Sequence, residues 1–239
     1  MKNIWIITKH ELAVFFNSLI AYILIVAFLG FSGLFTWFLS SDVFFIKQAS
    51  MESFFNIAYW TLFFFIPGLT MRLFAEENRS GTIELLLTRP VSDWQVTIGK
   101  FLSTLLLIII ALLLTIPYYI TISSLGHIDH GAVWSGYLGL ILMSGGYIAI
   151  GLFTSSLSTN QIVGYFLALF IGIFFQILFG LASGYSVGFF GEIFDYLSVS
   201  THIESISRGV IDSRDIIFFF SLIFLGLILT ESNLEKSRL

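Results

Sequence analysis

Few residues in this chain have the type and spacing for chemistry. His127 and His130, three apart with Asp129 between them, have the spacing of two metal ligands, but no third firm ligand accompanies them and a solvated loop is the better reading. Glu192 with Asp195, and Asp212 with Asp215, are spaced to share a helix face, as paired carboxylates do in general acid–base work. Solvated rims, or partners for Arg208 and Arg214, explain them more simply. Gly99-Lys100-Phe101 lacks the G-x-x-x-x-G-K-[ST] frame that cradles a phosphate, so the chain is not an ATPase by that route. Without cysteine there is neither a disulfide nor a thiolate site. What remains is one long polar interruption, Glu76 to Lys100 (EENRSGTIELLLTRPVSDWQVTIGK). Something water-soluble should meet the protein there.

The elements around it are apolar. Of 239 residues, 57% are hydrophobic and 11% charged, and the mean hydropathy is +0.95. A soluble domain carries about 25% charged residues, so the sequence predicts a multi-pass helical membrane protein. The net charge of −4 and the lack of a basic cluster exclude nucleic acid as a partner. The first apolar run is long and ends without an A-x-A cleavage site, so it reads as a retained anchor and not a signal peptide.

Residues 1–17 form an amphipathic helix at about 100° per residue. Ile4, Trp5, Leu12, Phe15 and Phe16 share one face, and Lys2, Asn3, Lys9, His10 and Asn17 the other, as in a helix lying in the membrane interface. Six spans follow, at about 18–40, 54–74, 94–123, 135–157, 161–182 and 216–230. Pro67-Gly68 should kink the second and Pro117 should bend the third. Loops are expected over 126–134 and at Ser158-Thr159-Asn160, and a polar tail over 231–239.

Residues 183–215 are apolar but broken by glycines, with no run long enough to cross about 30 Å of hydrocarbon, so short re-entrant helices are expected. Gly180, Gly184 and Gly188, spaced by four, suit tight hairpin packing. Thr201 with Glu204 reads as a capping box, Gly209 as the end of that helix, and Ser213 as the N-cap of the last span.

Six spans put both termini on one side. Lys2, Lys9, Arg72, Arg79, Arg89, Lys100, Lys236 and Arg238 lie on that side, against Lys47, Arg208 and Arg214, which predicts that side to be cytoplasmic. No charged residue or histidine sits mid-span, which argues against ion-coupled transport and an ion pore. Gln176, the large polar side chain deep in a span, is expected to make an interhelical hydrogen bond in preference to a substrate contact.

Within the polar stretch, Ser80-Gly81 ends the continuation of the second span, and Ser80 can cap a helix over 81–88 with Glu84 in its first turn. Pro90 ends that helix by forcing Arg89 out of the α conformation. Leu85, Leu86 and Leu87 are consecutive and cannot all face the membrane, so another protein is expected to cover some of them. Ser92 with Gln95 reads as a second capping box, with Val91 and Val96 as its hydrophobic staple.

The run Glu76-Glu77-x-Arg79-Ser80-Gly81-Thr82-Ile83-Glu84-Leu85-Leu86-Leu87-Thr88-Arg89-Pro90 resembles the cytoplasmic coupling segment of ABC-2 type transporter permeases. His202-Ile203-Glu204-Ser205, followed by Ser207-Arg208-Gly209-Val210-Ile211-Asp212-Ser213-Arg214-Asp215, is similar to that family's last outer loop. The resemblance covers the whole chain. The phrasing of both motifs looks most like the gliding-motility-associated permease subunits of Bacteroidota.

The resemblance implies one all-α transmembrane domain over 1–239, with an interfacial helix (1–17), a coupling segment (76–93) and an outer re-entrant region (183–215). It implies a non-catalytic subunit in a bacterial inner membrane, paired with a second permease half, identical or homologous. Two copies of an ABC ATPase would dock beneath and hold ATP and Mg, this chain binding no cofactor or metal. Glu77, Arg79, Ser80, Gly81, Thr82, Glu84, Leu85, Leu86, Leu87, Arg89 and Pro90 would form the docking surface. Gly184, Gly188, His202, Glu204, Arg208, Gly209, Asp212, Arg214 and Asp215 would belong to the outer cap. An uncharged, Phe-rich bundle suits a lipid-linked or amphipathic cargo. The alternative is a mechanical relay that drives an envelope or gliding-motility complex without moving a substrate.

Overall fold

The computed structural model of the chain describes residues 2–38, 50–81 and 91–238. Among these residues the regular structure is helical throughout. The elements are α1 (Lys2–Asn17), α2 (Leu19–Trp37), α3 (Glu52–Thr70), α4 (Ala75–Ser80), α5 (Asp93–Leu113), α6 (Ile116–Leu125), α7 (His130–Leu157) and α8 (Gln161–Ile173). A π-helical turn, Phe174–Leu178, leads to α9 (Phe179–Tyr185), and α10 (Phe189–Leu197), α11 (Val199–Ser207) and α12 (Ser213–Arg238) complete the chain.

Joined across their breaks, these make six helices long and apolar enough to cross a membrane: Leu19–Trp37, Glu52–Ser80, Asp93–Leu125, His130–Leu157, Gln161–Tyr185 and Ser213–Lys236. The bundle thus has a proximal end, with α1, α4 and the end of α12, and a distal end, with α6, α10 and α11.

α7 is the hub. Its most apolar stretch is 83% buried, against 22% for Gln161–Tyr185, and it packs on α3, α5, α8, α11 and α12. Small residues let neighbours approach where hydrocarbon supplies no hydrophobic drive of its own. A Cβ added to Gly151 would meet Thr70 of α3, and one on Gly226 of α12 would lie 2.8 Å from the Ala149 backbone.

Helix boundaries follow local chemistry. Asp129 Oδ1 accepts from the Gly131 and Ala132 backbone N–H groups, so α7 starts at His130 and the expected loop over 126–134 is shorter. Asn160 caps α8 in the same way. α3 runs through Pro67 and stops at Thr70, whose hydroxyl donates back to the Ile66 and Pro67 carbonyls. The third span breaks at Leu114–Thr115, which places Pro117 in the first turn of α6, where its missing N–H is tolerated. The last helix is longer than expected. It starts at Ser213 with Asp212 capping the Arg214 N–H, which corrects Ser213 as the N-cap. It continues to Arg238, so the segment expected as a polar tail is helical there and is tied to α7 through Asn233.

Candidate functional site

The proximal end converges on a break in the second span. Between α3 and α4 the helix is interrupted over 71–74, which frees backbone groups that would otherwise bond within the helix. Two side chains from other helices satisfy them. Ser155 Oγ of α7 donates to the Met71 carbonyl at 2.9 Å and accepts from the Phe74 and Ala75 N–H groups at 3.0 and 3.1 Å. Lys100 Nζ of α5 donates to the Leu73 carbonyl at 2.8 Å.

Lys100 is only 2% exposed and gathers three elements. Its ammonium also lies 2.7 Å from Glu77 Oε1 of α4 and 3.3 Å from Glu11 Oε1 of α1, and 5.1 Å from the centroid of the Phe74 ring. A buried ammonium is tolerated only when paired and hydrogen-bonded, and here all three of its donors find acceptors. The neighbouring Gly99 brings α1 close enough. A Cβ there would lie 2.6 Å from Ile7 Cγ2, and Thr8 donates to the Gly99 carbonyl at 3.3 Å. Asn78 of α4 and Asn233 of α12 both donate to the Ser156 carbonyl, satisfying the end of α7.

Of the residues expected to dock an ATPase, Glu77 sits in this ion cluster, and Arg79 and Ser80 occupy the exposed last turn of α4. Gly81 ends α4 with φ of +68°, a left-handed conformation that suits glycine. Thr82, Glu84, Leu85, Leu86, Leu87, Arg89 and Pro90, and with them the expected helix over 81–88, lie outside the described residues. Beyond them Ser92 Oγ accepts from the Gln95 N–H as expected. Gln95 carries its own oxygen to Asn3 of α1 at 3.3 Å. On α1 the buried residues are Thr8 and Phe15, while Trp5 and Ile6 are exposed. The expected apolar face is therefore divided between α5 and the surroundings.

The distal cap differs from its expected form in several residues. His202 and Asp215 are 5% and 4% exposed and paired at 2.7 Å, Nδ1 to Oδ1, so Asp215 lies in the core and not on a solvated rim. His202 Nε2 faces the Tyr196 carbonyl at 2.9 Å, which requires a hydrogen on that nitrogen, and the ring stacks on Phe218 at 4.1 Å. Thr201 is inside α11 and donates to Asp195 at 3.1 Å. The capping box with Glu204 is thereby replaced by a helix that starts at Val199.

Glu204 and Arg208 form an exposed i,i+4 pair at 3.6 Å, and Gly209, with φ of +89°, follows the last turn. Asp212 is held below the usual carboxylate range, chiefly by the Arg214 backbone N–H. Arg214 stands beside it on the exposed start of α12. Gly184 and Gly188 face no close neighbour, and Gly188 instead supplies a φ of +74° ahead of α10. Gly180 does pack closely, a Cβ there lying 3.0 Å from Ser200 Oγ, and the tightest approach in this region is at Gly191, where a Cβ would lie 2.5 Å from the Ser186 carbonyl oxygen.

His130 bonds to the Tyr119 hydroxyl at 2.7 Å and Asp129 is occupied as a cap. Among the described residues no group of three His, Asp or Glu is placed to hold a metal. A cavity of about 570 Å³ opens at this end between α3, α7 and α11, with Glu52, Asn56, Tyr59 and Glu204 on its walls. Deeper in the bundle the Tyr147 hydroxyl donates to Gln176 Oε1 inside the π-helical turn, the interhelical bond expected there.

Sequence reasoning placed Lys100 among the proximal cations but missed its partners. Glu11 is 89 residues away and Glu77 is 23, and neither separation has a helical period. The available signal was a lysine about two turns inside an apolar helix beside a glycine. Ser155, one serine among Ser155, Ser156 and Ser158, carried no signal at all.

Six apolar spans, one of them a buried hub, with breaks held by polar side chains, define a multi-pass helical membrane protein. Residues 39–230 match the family model described as ABC-2 family transporter protein, so the chain belongs to that family of membrane transport subunits. Membership implies an ABC ATPase subunit as its partner. A comparison with curated proteins gave no match.

Proposed function

We propose that this permease subunit is an exporter that takes its energy through segment 76–93 and moves a lipid-linked or amphipathic substrate across a bacterial inner membrane. The observation that carries the reading is the anchoring of that segment on both sides. α4 opens it from the Lys100 and Ser155 contacts, and the Ser92 cap closes it onto α5, so a displacement applied between them has two rigid exits. Two ATPase copies carrying ATP and Mg would dock on a pair of permease halves, identical or homologous, with both termini cytoplasmic. Glu84 and Arg89 would be the polar contacts of the docking helix, and Leu85 to Leu87 its covered ones. The phrasing of both motifs favours the gliding-motility-associated branch of the family, in which the same machinery could act as a mechanical relay.

The test has two stages. Glu84→Lys or Leu86→Asp is expected to abolish co-purification of the ATPase while membrane insertion is kept, and retention of the ATPase by both variants would overturn the docking role. Reconstituted complex should then show ATP-dependent flux of a lipid-linked substrate; ATP turnover without flux would favour the relay.

A further inference from the structure

The break between α3 and α4 is a natural hinge: it interrupts a membrane-spanning helix just before the segment proposed to take the push. Left to itself it would absorb a displacement of α4 by bending. Its free backbone groups are instead held from two sides, by Ser155 of α7 on the Met71, Phe74 and Ala75 groups and by Lys100 of α5 on the Leu73 carbonyl. Lys100 also holds α4 and α1 through Glu77 and Glu11.

We propose that Lys100 and Ser155 form a two-point clamp on this break, and that Lys100 is the positioning residue that makes α1, α4 and α5 move as one body. Under the clamp a push on the segment after Gly81 reaches α5 directly and is not lost in the hinge. This rests on the reading of segment 76–93 as the coupling segment. Lys100 suits the role because an ammonium offers three donors without a fixed plane, so one atom serves acceptors on three elements. The family match begins at residue 39, so Glu11 and all of α1 lie outside the matched residues.

The chain has no cysteine, so Ile6→Cys on α1 and Glu76→Cys on α4, both exposed positions, can carry a pair of spin labels. The distance between them is measured in the permease–ATPase complex in lipid nanodiscs, without nucleotide and with ATP and vanadate. With the clamp intact the distance should not change with nucleotide. In the neutral variant Glu11→Gln/Glu77→Gln/Lys100→Met, which leaves no charge buried without its partner, it should become nucleotide-dependent. Ser155→Ala, which keeps every charge, should show the same response to a lesser degree.

A nucleotide-dependent distance in the intact protein would overturn the proposal. So would a distance that stays nucleotide-independent in the neutral variant, whatever Ser155→Ala does, since a purely structural cluster changes the distance in both nucleotide states alike. Failure of the coupling reading itself is seen separately, as ATPase retained by Glu84→Lys and Leu86→Asp.

Discussion

At the proximal end Lys100 lies among Glu11, Glu77 and the Leu73 carbonyl; at the distal end His202 lies between Asp215 and the Tyr196 carbonyl, against the ring of Phe218. Both are buried polar anchors, but they bind the chain on different scales. Lys100 joins elements 89 and 23 residues away, so its contacts form only when the fold is complete. His202 joins residues 6 and 13 positions away and organises a cap that is local in the chain. Local units can open without global unfolding, whereas a cluster of distant elements cannot. The proximal end is held by contacts between distant elements, and the distal end by contacts local in the chain.

The largest effect expected from this contrast is at Lys100. Lys100→Met strands two carboxylates and should cost about 3–5 kcal/mol, the usual penalty for removing one partner of a buried ion cluster. Thermal unfolding in detergent micelles reads this as a lowered melting temperature. Adding Glu11→Gln and Glu77→Gln should recover most of the loss. A loss no larger than that at His202 would break the distinction between the two ends.

Ser155→Ala comes next. Two buried N–H groups and one carbonyl lose their partner together, which should cost about 2–3 kcal/mol, since unsatisfied buried groups are penalised more than a formed bond is rewarded. The same micelle experiment applies, and hydrogen exchange of the Phe74 and Ala75 amides would locate the loss in the break.

At the distal end His202→Phe keeps a ring for the Phe218 stack and removes both hydrogen bonds. A cost of about 1–2 kcal/mol is expected, because two hydrogen bonds are lost while the ring packing is kept. The contrast sharpens if faster hydrogen exchange is confined to α10, α11 and the start of α12; exchange that spreads to α4 would show that the two ends are not independent.

How far these ends were legible in the sequence differs for the same reason. Span number, the caps at Ser92 and Gly209 and the bond at Gln176 rest on neighbouring residues or on the polarity of a single one, and they were readable. The His202–Asp215 pair was missed although it is local, because acids beside Arg208 and Arg214 look like a solvated rim until α12 carries Asp215 inward. The Lys100 cluster and the Ser155 contacts depend on which helices pack together, and one apolar span resembles another in a sequence. Thr201 was misread because a capping box is a four-residue pattern that also occurs inside a helix.

The last prediction, which contains the smallest single effect, concerns the glycines of the distal hairpin, where spacing alone was misleading at Gly184 and Gly188. Gly180, Gly184 and Gly188 have the interval of a close-packing motif, yet only Gly180 of the three is tightly packed, a Cβ on Gly184 meets nothing within 4 Å, and one on Gly191 would lie 2.5 Å from the Ser186 carbonyl oxygen. Backbone cannot move aside as a side chain can, so Gly191→Ala should cost about 1–3 kcal/mol through overpacking. Gly184 lies inside α9, where alanine restricts the unfolded chain without touching a neighbour. Gly184→Ala should therefore raise stability by about 0.5 kcal/mol. Opposite signs for two alanines seven residues apart, measured by melting temperature in one detergent, would show that contact and not interval decides where a membrane helix needs glycine. A loss at Gly184 would mean that its open face is covered in the assembled transporter.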